Sequence, residues 1–272
     1  MDQYRVFGNP IKQSRSPYIH QSFATTTNQE LNYQSQLAEP DEFATAVLQF
    51  IANGGKGANV TAPFKEQALV LSDEVTERAR LAGAVNTLTF DNGKIYGDNT
   101  DGEGLVQDLL RNKVQLANSN ILLLGAGGAA KGVILPLLAQ HPSSIVIANR
   151  TLSKAQALIE QFNDSRLSVC GFEQTSAKTY DLIINATSAS LSGKLPTISS
   201  SLITENTVCY DMVYGKALTP FLAWAKAQGA SKVIDGLGML VGQAAESFRV
   251  WRGVKPEVET VIEQLQATLA QE

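Results

Sequence analysis

A single lysine stands out in the stretch NVTAPFKE, residues 59–66, which follows an apolar, glycine-rich segment and contains the end of a predicted strand. Asn59 and Thr61 precede this lysine, Lys65, and Pro63 lies between Thr61 and Lys65. Two interpretations are open. Lys65 is either a solvated residue at the start of a helix or an acid–base catalyst beside a substrate. The second interpretation requires a binding site at the end of the strand.

A glycine-rich motif, GAGGAA at residues 125–130, follows the apolar run ILLL and opens a helical pattern. In that context the pattern G-x-G-x-x-A is typical of dinucleotide binding, and an ordinary glycine-rich turn is the alternative. Gly125 permits a tight turn, Gly127 lets the backbone approach a pyrophosphate, and Ala130 allows close packing of helix on strand. The helix N-terminus supplies N–H groups for the phosphates. The predicted cofactor loop comprises Gly125, Ala126, Gly127, Gly128 and Ala129.

The next predicted strand, SSIVIA, indicates which dinucleotide binds. It ends in Asn149, Arg150 and Thr151, with Lys154 one turn later and no Asp or Glu among them. NAD sites place a carboxylate there for the ribose 2′-hydroxyl, and a carboxylate would repel a 2′-phosphate. Arg150 can bind that phosphate with two hydrogen bonds, and Lys154 adds a second positive charge. The pattern favours NADP over NAD, with a solvated helix start as the alternative.

These residues must be positioned by strands and helices that alternate along the chain, which predicts an α/β fold. We expect a hairpin in VNTLTFDNGKIYGDN, with Asn92-Gly93 as its turn, and a helix with Pro136 inside it. Further strands are predicted at YRVFG, NYQSQLA, KGANVT, ILLLG, SSIVIANR, DLIINAT, TVCYDMVY and KVID. Helices are predicted at SPYIHQSFA, EFATAVLQFIANGG, FKEQALVLS, DEVTERARLAG, AAKGVILPLLAQH, LSKAQALIEQF, GMLVGQAAESFRVW and PEVETVIEQLQATLAQ.

Composition excludes several classes of protein. The 272 residues carry a net charge of −4 without a basic run, which argues against nucleic-acid binding. No stretch is apolar enough for a membrane span, and the N-terminus lacks a signal-peptide core. Cys170 and Cys209 read as reduced thiols of a cytoplasmic protein. His20 and His141 lack metal-ligand spacing, so we expect no metal site.

Nine segments together resemble the shikimate dehydrogenase family. They are GNPIKQSRSP, GANVTAPFK, AGAVNT, GDNTDG, GAGGAA, NRT, NATS, YDMVY and DGLGMLVGQAA. Each motif is modest, but they occur in order between residue 7 and about residue 250, and their joint occurrence is specific. The resemblance implies reversible NADPH-dependent reduction of 3-dehydroshikimate to shikimate, in chorismate and aromatic amino acid biosynthesis. It also implies two domains: a discontinuous α/β substrate domain, residues 1–102 and 237–272, and a Rossmann-like NADP domain, residues 103–236.

The resemblance also assigns roles to individual residues. Lys65 and Asp101 match the catalytic pair, in which the lysine exchanges the proton and the aspartate assists. Ser14 and Ser16 match a pair that binds the substrate carboxylate, although Ser16 could instead cap a helix. The remaining substrate-binding matches are Thr61, Asn86, Tyr214 and Gln243. Further cofactor-binding matches are Thr187, Ser188, Met212, Gly236 and Met239, of which both methionines could equally be core residues.

The chain departs from the family pattern at a few positions and leaves other functions open. Ala62 is smaller than usual, Gln13 replaces a frequent histidine, and Ser190 lies near a usual glycine, where we expect it to restrict the turn. One alternative is a quinate/shikimate dehydrogenase of broader substrate or NAD use. Another is a non-catalytic NADPH-binding regulatory protein, and a third, a folate dehydrogenase, lacks support from the paired serines. A small-molecule substrate is expected, with a monomer or homodimer both open.

Overall fold

Two six-stranded sheets carry the fold in the computed structural model, which describes residues 1–271 apart from the side chains at positions 176 and 177. Contacts divide the chain into two units. One comprises Met1–Gly104 and Val241–Glu263, and the other comprises Leu105–Leu240 and the residues from Gln264 onward.

The first unit contains a mixed sheet in the order β2-β1-β3-β5-β6-β4. Its strands are β1 (Asp2–Gly8), β2 (Leu31–Leu37), β3 (Gly55–Val60), β4 (Glu74–Val75), β5 (Thr87–Asp91) and β6 (Lys94–Asp98). Strand β1 runs parallel to β2 and β3, whereas β5 runs antiparallel to both β3 and β6. The carboxyl ends of β1, β3 and β6 and the beginning of β5 therefore share one edge, where Asn59 pairs with Thr87 and Thr87 with Asp98.

The second unit contains an all-parallel sheet in the order β12-β11-β10-β7-β8-β9, which is the doubly wound arrangement of dinucleotide-binding domains. Its strands are β7 (Asn120–Leu124), β8 (Ser144–Ala148), β9 (Leu167–Cys170), β10 (Leu182–Asn185), β11 (Val208–Asp211) and β12 (Lys232–Ile234). Side chains of β7 alternate between two hydrophobic clusters, Ile121 and Leu123 in one and Leu122 and Leu124 in the other. Both faces of the sheet are thus covered, as its continuously apolar sequence predicts.

The helices connect the strands. They are α1 (Ser16–Thr26), α2 (Phe43–Ala52), α3 (Lys65–Leu71), α4 (Glu77–Ala82), α5 (Asp101–Arg111), α6 (Gly128–Leu138), α7 (Leu152–Phe162), α8 (Pro220–Ala227), α9 (Leu237–Arg252) and α10 (Glu259–Gln271). Short 3₁₀ helices cover Phe172–Ala177, Ser190–Ser192 and Ser200–Leu202. Among the described residues, no helix combines the length and apolarity needed to cross a membrane.

The α/β prediction is confirmed, and most predicted elements lie where the sequence indicates them. The Asn92-Gly93 hairpin forms, with φ values of 50° and 76°, and Pro136 lies inside α6. The predicted helix at DEVTERARLAG is wrong in its first part, because Glu74 and Val75 pair with β6 as a short strand and only the rest forms α4. Helices α5 and α8 and strand β9 were not predicted.

Candidate active site

Lys65 and Asp101 form an ion pair at the edge of the first sheet, with Nζ 2.5 Å from Oδ2. Lys65 is the first residue of α3, just after β3, and Asp101 is the first residue of α5, just after β6. Their side chains are 31% and 20% exposed, so the pair is screened from bulk water yet open to a ligand. An ammonium group held by a carboxylate can donate a proton to a developing alkoxide.

Asn86, which is 2% exposed, links the two segments that carry this pair. Its Nδ2 donates to Oδ1 of Asp101 at 2.8 Å, and its Oδ1 accepts from the backbone N–H of Thr100 at 2.9 Å. The preceding residue, Val85, donates its N–H to the carbonyl of Lys65 at 2.9 Å. Asn86 also donates to Oε1 of Gln243 at 3.2 Å. One short segment therefore fixes both members of the pair.

A buried ionic cluster holds the turn that leads to Asp101. The guanidinium of Arg78 donates to both carboxylate oxygens of Asp98, at 2.7 and 2.6 Å, and to Glu246 at 3.0 Å. Burial alone would raise the pKa of Asp98, but Arg78, together with hydrogen bonds from Thr76 and the Asn99 backbone, lowers it below its usual value. Residue Asn99 in turn accepts the N–H of Asp101 at 3.1 Å.

The other predicted substrate residues lie in several places. Ser14 and Ser16 precede and begin α1, where the Ser16 N–H donates to Ser14 Oγ at 3.3 Å; the capping position is Arg15, not Ser16. Thr61 follows β3 at the same sheet edge, since its N–H donates to the carbonyl of Phe7 in β1 at 2.9 Å. Tyr214 belongs to the second unit, after β11.

Asn59 and His20 belong to the interior of the first unit. Asn59 is 5% exposed, accepts from the Tyr33 hydroxyl at 2.7 Å, and donates to Ser247 at 3.0 Å. His20 is fully buried and stacks on Tyr33 with ring centroids 4.2 Å apart. Burial lowers the pKa of His20 to about 3, and the nearby Asn59 acts in the opposite direction. Among residues 1–271, no three His, Cys, Asp or Glu side chains group together as a metal site.

A cavity of about 980 Å³ opens at the carboxyl edge of the second sheet. Its walls are the segments that follow β7, β8, β9 and β10. The lining residues are Gly125, Ala126, Gly127, Gly128, Ala129, Asn149, Arg150, Leu152, Gly171, Phe172, Glu173, Gln174, Ala186, Thr187, Ser188, Ala189, Lys194, Leu195, Pro196 and Thr197. In doubly wound sheets, ligands bind at this edge.

The glycine-rich loop forms the floor of the cavity. Gly125 has φ of 109°, and a Cβ there would meet the Thr187 side chain at 3.2 Å, so only glycine fits. Side chains at Gly127 or Gly128 would extend into open space, and their absence leaves the N-terminus of α6 exposed to a ligand. Orphan N–H groups there can bind an anionic phosphate. These residues fit a dinucleotide diphosphate.

Nine of the predicted cofactor residues line this cavity and five do not. Those that line it are Gly125, Ala126, Gly127, Gly128, Ala129, Asn149, Arg150, Thr187 and Ser188. Those outside its walls are Thr151, Lys154, Met212, Gly236 and Met239. Met239 is a buried member of the hydrophobic core and Met212 packs against the same cluster. A Cβ at Gly236 would collide with the Met212 carbonyl, which explains the glycine by packing.

Sequence reasoning missed the far wall of the cavity. The segments Gly171–Gln174 and Lys194–Thr197 carry no motif, and their placement depends on the path of the chain after β9 and β10. The only signal in the sequence was the unusual Ser190 after NATS, close to the second of these segments.

Comparison with known proteins identifies the family. The shikimate dehydrogenase substrate-binding domain matches residues 6–88, shikimate/quinate 5-dehydrogenase matches residues 108–202, and the shikimate 5′-dehydrogenase C-terminal domain matches residues 236–266. A shikimate dehydrogenase (NADP(+)) of Colwellia psychrerythraea is 68% identical over 268 residues, 98% of each chain. The chain belongs to the shikimate dehydrogenase family.

Solved structures agree with the two-domain, Rossmann-like α/β fold, and one of them is a shikimate dehydrogenase. An Ael1 enzyme from Pseudomonas putida is 47% identical with a TM-score of 0.95, over 97% of this chain and 98% of that one. The shikimate 5-dehydrogenase of Thermus thermophilus, solved in complex with NADP(H) and shikimate, is 31% identical. Its TM-score is 0.88, over 99% of this chain and 100% of that one.

Proposed function

We propose that this chain is an NADP-dependent oxidoreductase that reversibly reduces 3-dehydroshikimate to shikimate. Family membership over nearly the whole chain supports this, as does the name shikimate dehydrogenase (NADP(+)) carried by its relatives. The observation that carries the catalytic part is the 2.5 Å contact between Lys65 Nζ and Asp101 Oδ2. A protein that only binds nucleotide does not need such a proton-exchanging pair.

In the proposed mechanism, the glycine-rich loop and the N-terminus of α6 would hold NADPH, which would supply the hydride for the carbonyl carbon of the substrate. The ammonium group of Lys65 donates its proton to the oxygen as negative charge develops there, and the neutral amine takes the proton back in the reverse direction. Asp101 holds Nζ through Oδ2, and Asn86 prevents the carboxylate from rotating away by binding Oδ1. Proton transfer therefore begins from a fixed geometry.

We assign substrate binding to residues 1–102 and 237–272 and NADP binding to residues 103–236. Ser14 and Ser16 would donate hydroxyls to the substrate carboxylate. Contacts to the substrate would also come from Thr61, Asn86, Tyr214 and Gln243. Thr61 and Asn86 lie at the shared sheet edge and Asn86 donates to Gln243, which supports the grouping of these three residues.

The cavity at the second sheet supports the cofactor assignment. The N-terminus of α6 would bind the diphosphate, and Arg150 would bind the 2′-phosphate, since no carboxylate follows β8 in the usual NAD position. Lys154, in α7, would add a second positive charge that attracts the 2′-phosphate from a distance. On the family resemblance alone, Met212 and Met239 would line the nicotinamide pocket and Gly236 would be a backbone position near the cofactor, since all three lie outside the walls of this cavity. We also propose a cytoplasmic location, which the free thiols of Cys170 and Cys209 support.

The deciding experiment is a steady-state assay of NADPH oxidation with 3-dehydroshikimate, run beside Lys65→Ala. We expect turnover by the wild-type protein and a loss of about 10³-fold in kcat for the variant, with NADPH binding retained. Binding of NADPH without any turnover of 3-dehydroshikimate would instead support the regulatory alternative. Near-normal turnover by Lys65→Ala would remove Lys65 from its catalytic role.

Oxidation of quinate is a second candidate activity, because residues 108–202 match the shikimate/quinate 5-dehydrogenase family. Rates with shikimate and quinate, each with NADP and NAD, separate the two activities. We expect shikimate and NADP to give the highest kcat/KM, since Arg150 follows β8 where an NAD site would place a carboxylate. Comparable kcat/KM values for quinate would favour the broader enzyme.

A further inference from the structure

A tight turn after β10 returns Lys194 to the wall of the cofactor cavity. The turn begins at Ala189, passes through the 3₁₀ helix Ser190–Ser192, and reverses at Gly193, whose φ of 70° suits glycine. The N–H of Lys194 then donates to the carbonyl of Ala189 at 2.9 Å. Because this bond closes the turn, Lys194 lies beside Ala189, and both residues line the cavity.

Ser190 anchors this turn to the interior of the second unit. Its hydroxyl donates to Oδ2 of Asp211 at 2.6 Å and accepts from the amide of Asn185 at 3.3 Å. Asp211, at the end of β11, is completely buried, and Ser190 is 8% exposed. The hydroxyl of Thr219 donates to the same carboxylate oxygen at 2.6 Å, so the anchor is itself fixed. A glycine at position 190 would lack this bond.

The charge distribution in the cavity indicates what Lys194 binds. Two cations, Arg150 and Lys194, and one carboxylate, Glu173, are among its lining residues. Within residues 1–271, neither cation forms an ion pair. The α6 N-terminus adds partial positive charge at the cavity floor. The cavity therefore offers several positive groups to one anionic ligand, and Lys194 is one of them.

We infer that Lys194 binds a phosphate group of the dinucleotide, and that the Ser190–Asp211 hydrogen bond positions it to do so. This inference rests on the proposed cofactor. The phosphate is either the 2′-phosphate or the diphosphate, which share the same chemistry toward an ammonium group. Lys194 is a cofactor-binding residue in this proposal, and Ser190 is a positioning residue that acts through the turn.

Binding titrations of Lys194→Gln with NADP⁺, NAD⁺ and 2′,5′-ADP test the contact directly, without relying on turnover. We expect affinity for NADP⁺ to fall about tenfold, the effect of one partly exposed charge-assisted contact. If NADP⁺ and 2′,5′-ADP lose affinity but NAD⁺ does not, Lys194 binds the 2′-phosphate. Equal losses for NADP⁺ and NAD⁺ indicate the diphosphate, and either pattern supports the inference.

Lys226→Gln is the matched control, because Lys226 is an exposed lysine at the end of α8 that does not line the cavity. It should leave all three affinities unchanged. If Lys194→Gln also changes none of them by more than twofold while the wild-type protein binds NADP⁺, the inference about Lys194 is wrong and the proposed function is unaffected. If the wild-type protein does not bind NADP⁺, both fail.

Ser190→Ala, made alone and together with Lys194→Gln, tests the positioning role. We expect Ser190→Ala to weaken NADP⁺ binding about threefold when Lys194 is present and to add nothing when Lys194 is already replaced. The KM for NADPH should rise while kcat stays constant, and Ser190→Thr should restore part of the affinity. If Ser190→Ala lowers the affinity for NADP⁺ equally in the wild-type protein and in the Lys194→Gln variant, Ser190 only stabilises the fold. That result would overturn the positioning role.

Discussion

Asn86 donates to Oδ1 of Asp101 at 2.8 Å, while the other carboxylate oxygen lies 2.5 Å from Nζ of Lys65. The carboxylate is therefore held from both sides. Asn86 is itself fixed, because its Oδ1 accepts from the N–H and the hydroxyl of Thr100. Lys65, Asn86 and Asp101 form one hydrogen-bonded network, and we expect the effects of their substitutions on kcat to be non-additive.

Replacing Asp101 by Asn should lower kcat for 3-dehydroshikimate reduction by about 10²-fold, because Lys65 loses the charge that holds its ammonium group. Residues that act together are not additive, so Lys65→Ala combined with Asp101→Asn should resemble Lys65→Ala alone. Steady-state kinetics of the two single variants and the double variant measure this. If the losses in kcat of the two single variants multiply in the double variant, the two residues act independently. Lys56 is an exposed lysine in β3, so Lys56→Ala serves as the control and should leave kcat unchanged.

Asn86→Ala and Asn59→Ala should separate catalysis from stability. Both asparagines are buried and hydrogen-bonded, so each substitution should cost about 1–3 kcal/mol of unfolding free energy. Only Asn86 contacts Asp101, so only Asn86→Ala should also lower kcat, by about tenfold or more. Urea unfolding and steady-state kinetics on both variants provide the two measurements. Asn59 also donates to the backbone carbonyl of Asn86, so an equal fall in kcat for Asn59→Ala would show that the effect does not depend on the Asn86–Asp101 contact.

Arg150→Ala should weaken binding of NADPH by about 10- to 100-fold, because a guanidinium binds a phosphate with paired charge-assisted hydrogen bonds. The affinity for NADH, which lacks the 2′-phosphate, should fall by less than threefold. Fluorescence titration with both cofactors measures the two affinities. Lys226→Ala provides the control for a general loss of positive charge from this unit. Parallel losses for NADPH and NADH would place Arg150 near another part of the cofactor.

His20 should make the protein less stable in mild acid. Burial lowers its pKa to about 3, whereas an unfolded chain binds the proton near pH 6.5. The folded state therefore binds fewer protons in this range, and the unfolding free energy should fall by about 1.4 kcal/mol for each pH unit below 6.5. Above pH 6.5 the penalty is absent, because the imidazole is neutral in both states.

His20→Phe should remove most of this dependence between pH 6.5 and 5, above the range in which ordinary carboxylates titrate. Neither ring nitrogen of His20 has a hydrogen-bond partner among the described residues, so phenylalanine can replace it without leaving a donor or acceptor unpaired. Urea unfolding of both proteins at several pH values measures the slope. Identical slopes would show that His20 is not the group responsible.

Turns, helix starts and apolar strands were predicted well, because residues close together in the sequence form them. The run ILLL followed by GAGGAA forms β7 and opens α6, and Asn92-Gly93 forms the hairpin turn. Glu74 and Val75 were predicted as helical, yet they pair with Tyr96 and Gly97 in β6. A two-residue strand is too short to show a periodicity in the sequence, so it can be identified only from its pairing with a neighbouring strand.

Helix α5 and strand β9 were not predicted for related reasons. The sequence DGEGLVQDLLR contains two glycines, which weaken helix propensity, and α5 is stabilised instead by burial of Leu105, Val106 and Leu109. Strand β9 is only four residues long and is held by pairing with β8. In both cases tertiary contacts outweigh local preference.

The sequence by itself determined the α/β class and the strand, glycine-rich turn and helix start at GAGGAA, and its resemblance to a family drew attention to Lys65 and Asp101. The tertiary structure decided how Lys65 and Asp101, 36 positions apart, come within 2.5 Å, with Asn86 between their segments. It also decided that Lys194 lines the cavity of the second unit and that Ser190, in the turn before it, donates to the buried Asp211. The physical reason is that turns and helix starts depend on adjacent residues, whereas these contacts depend on which strands become neighbours in the sheets.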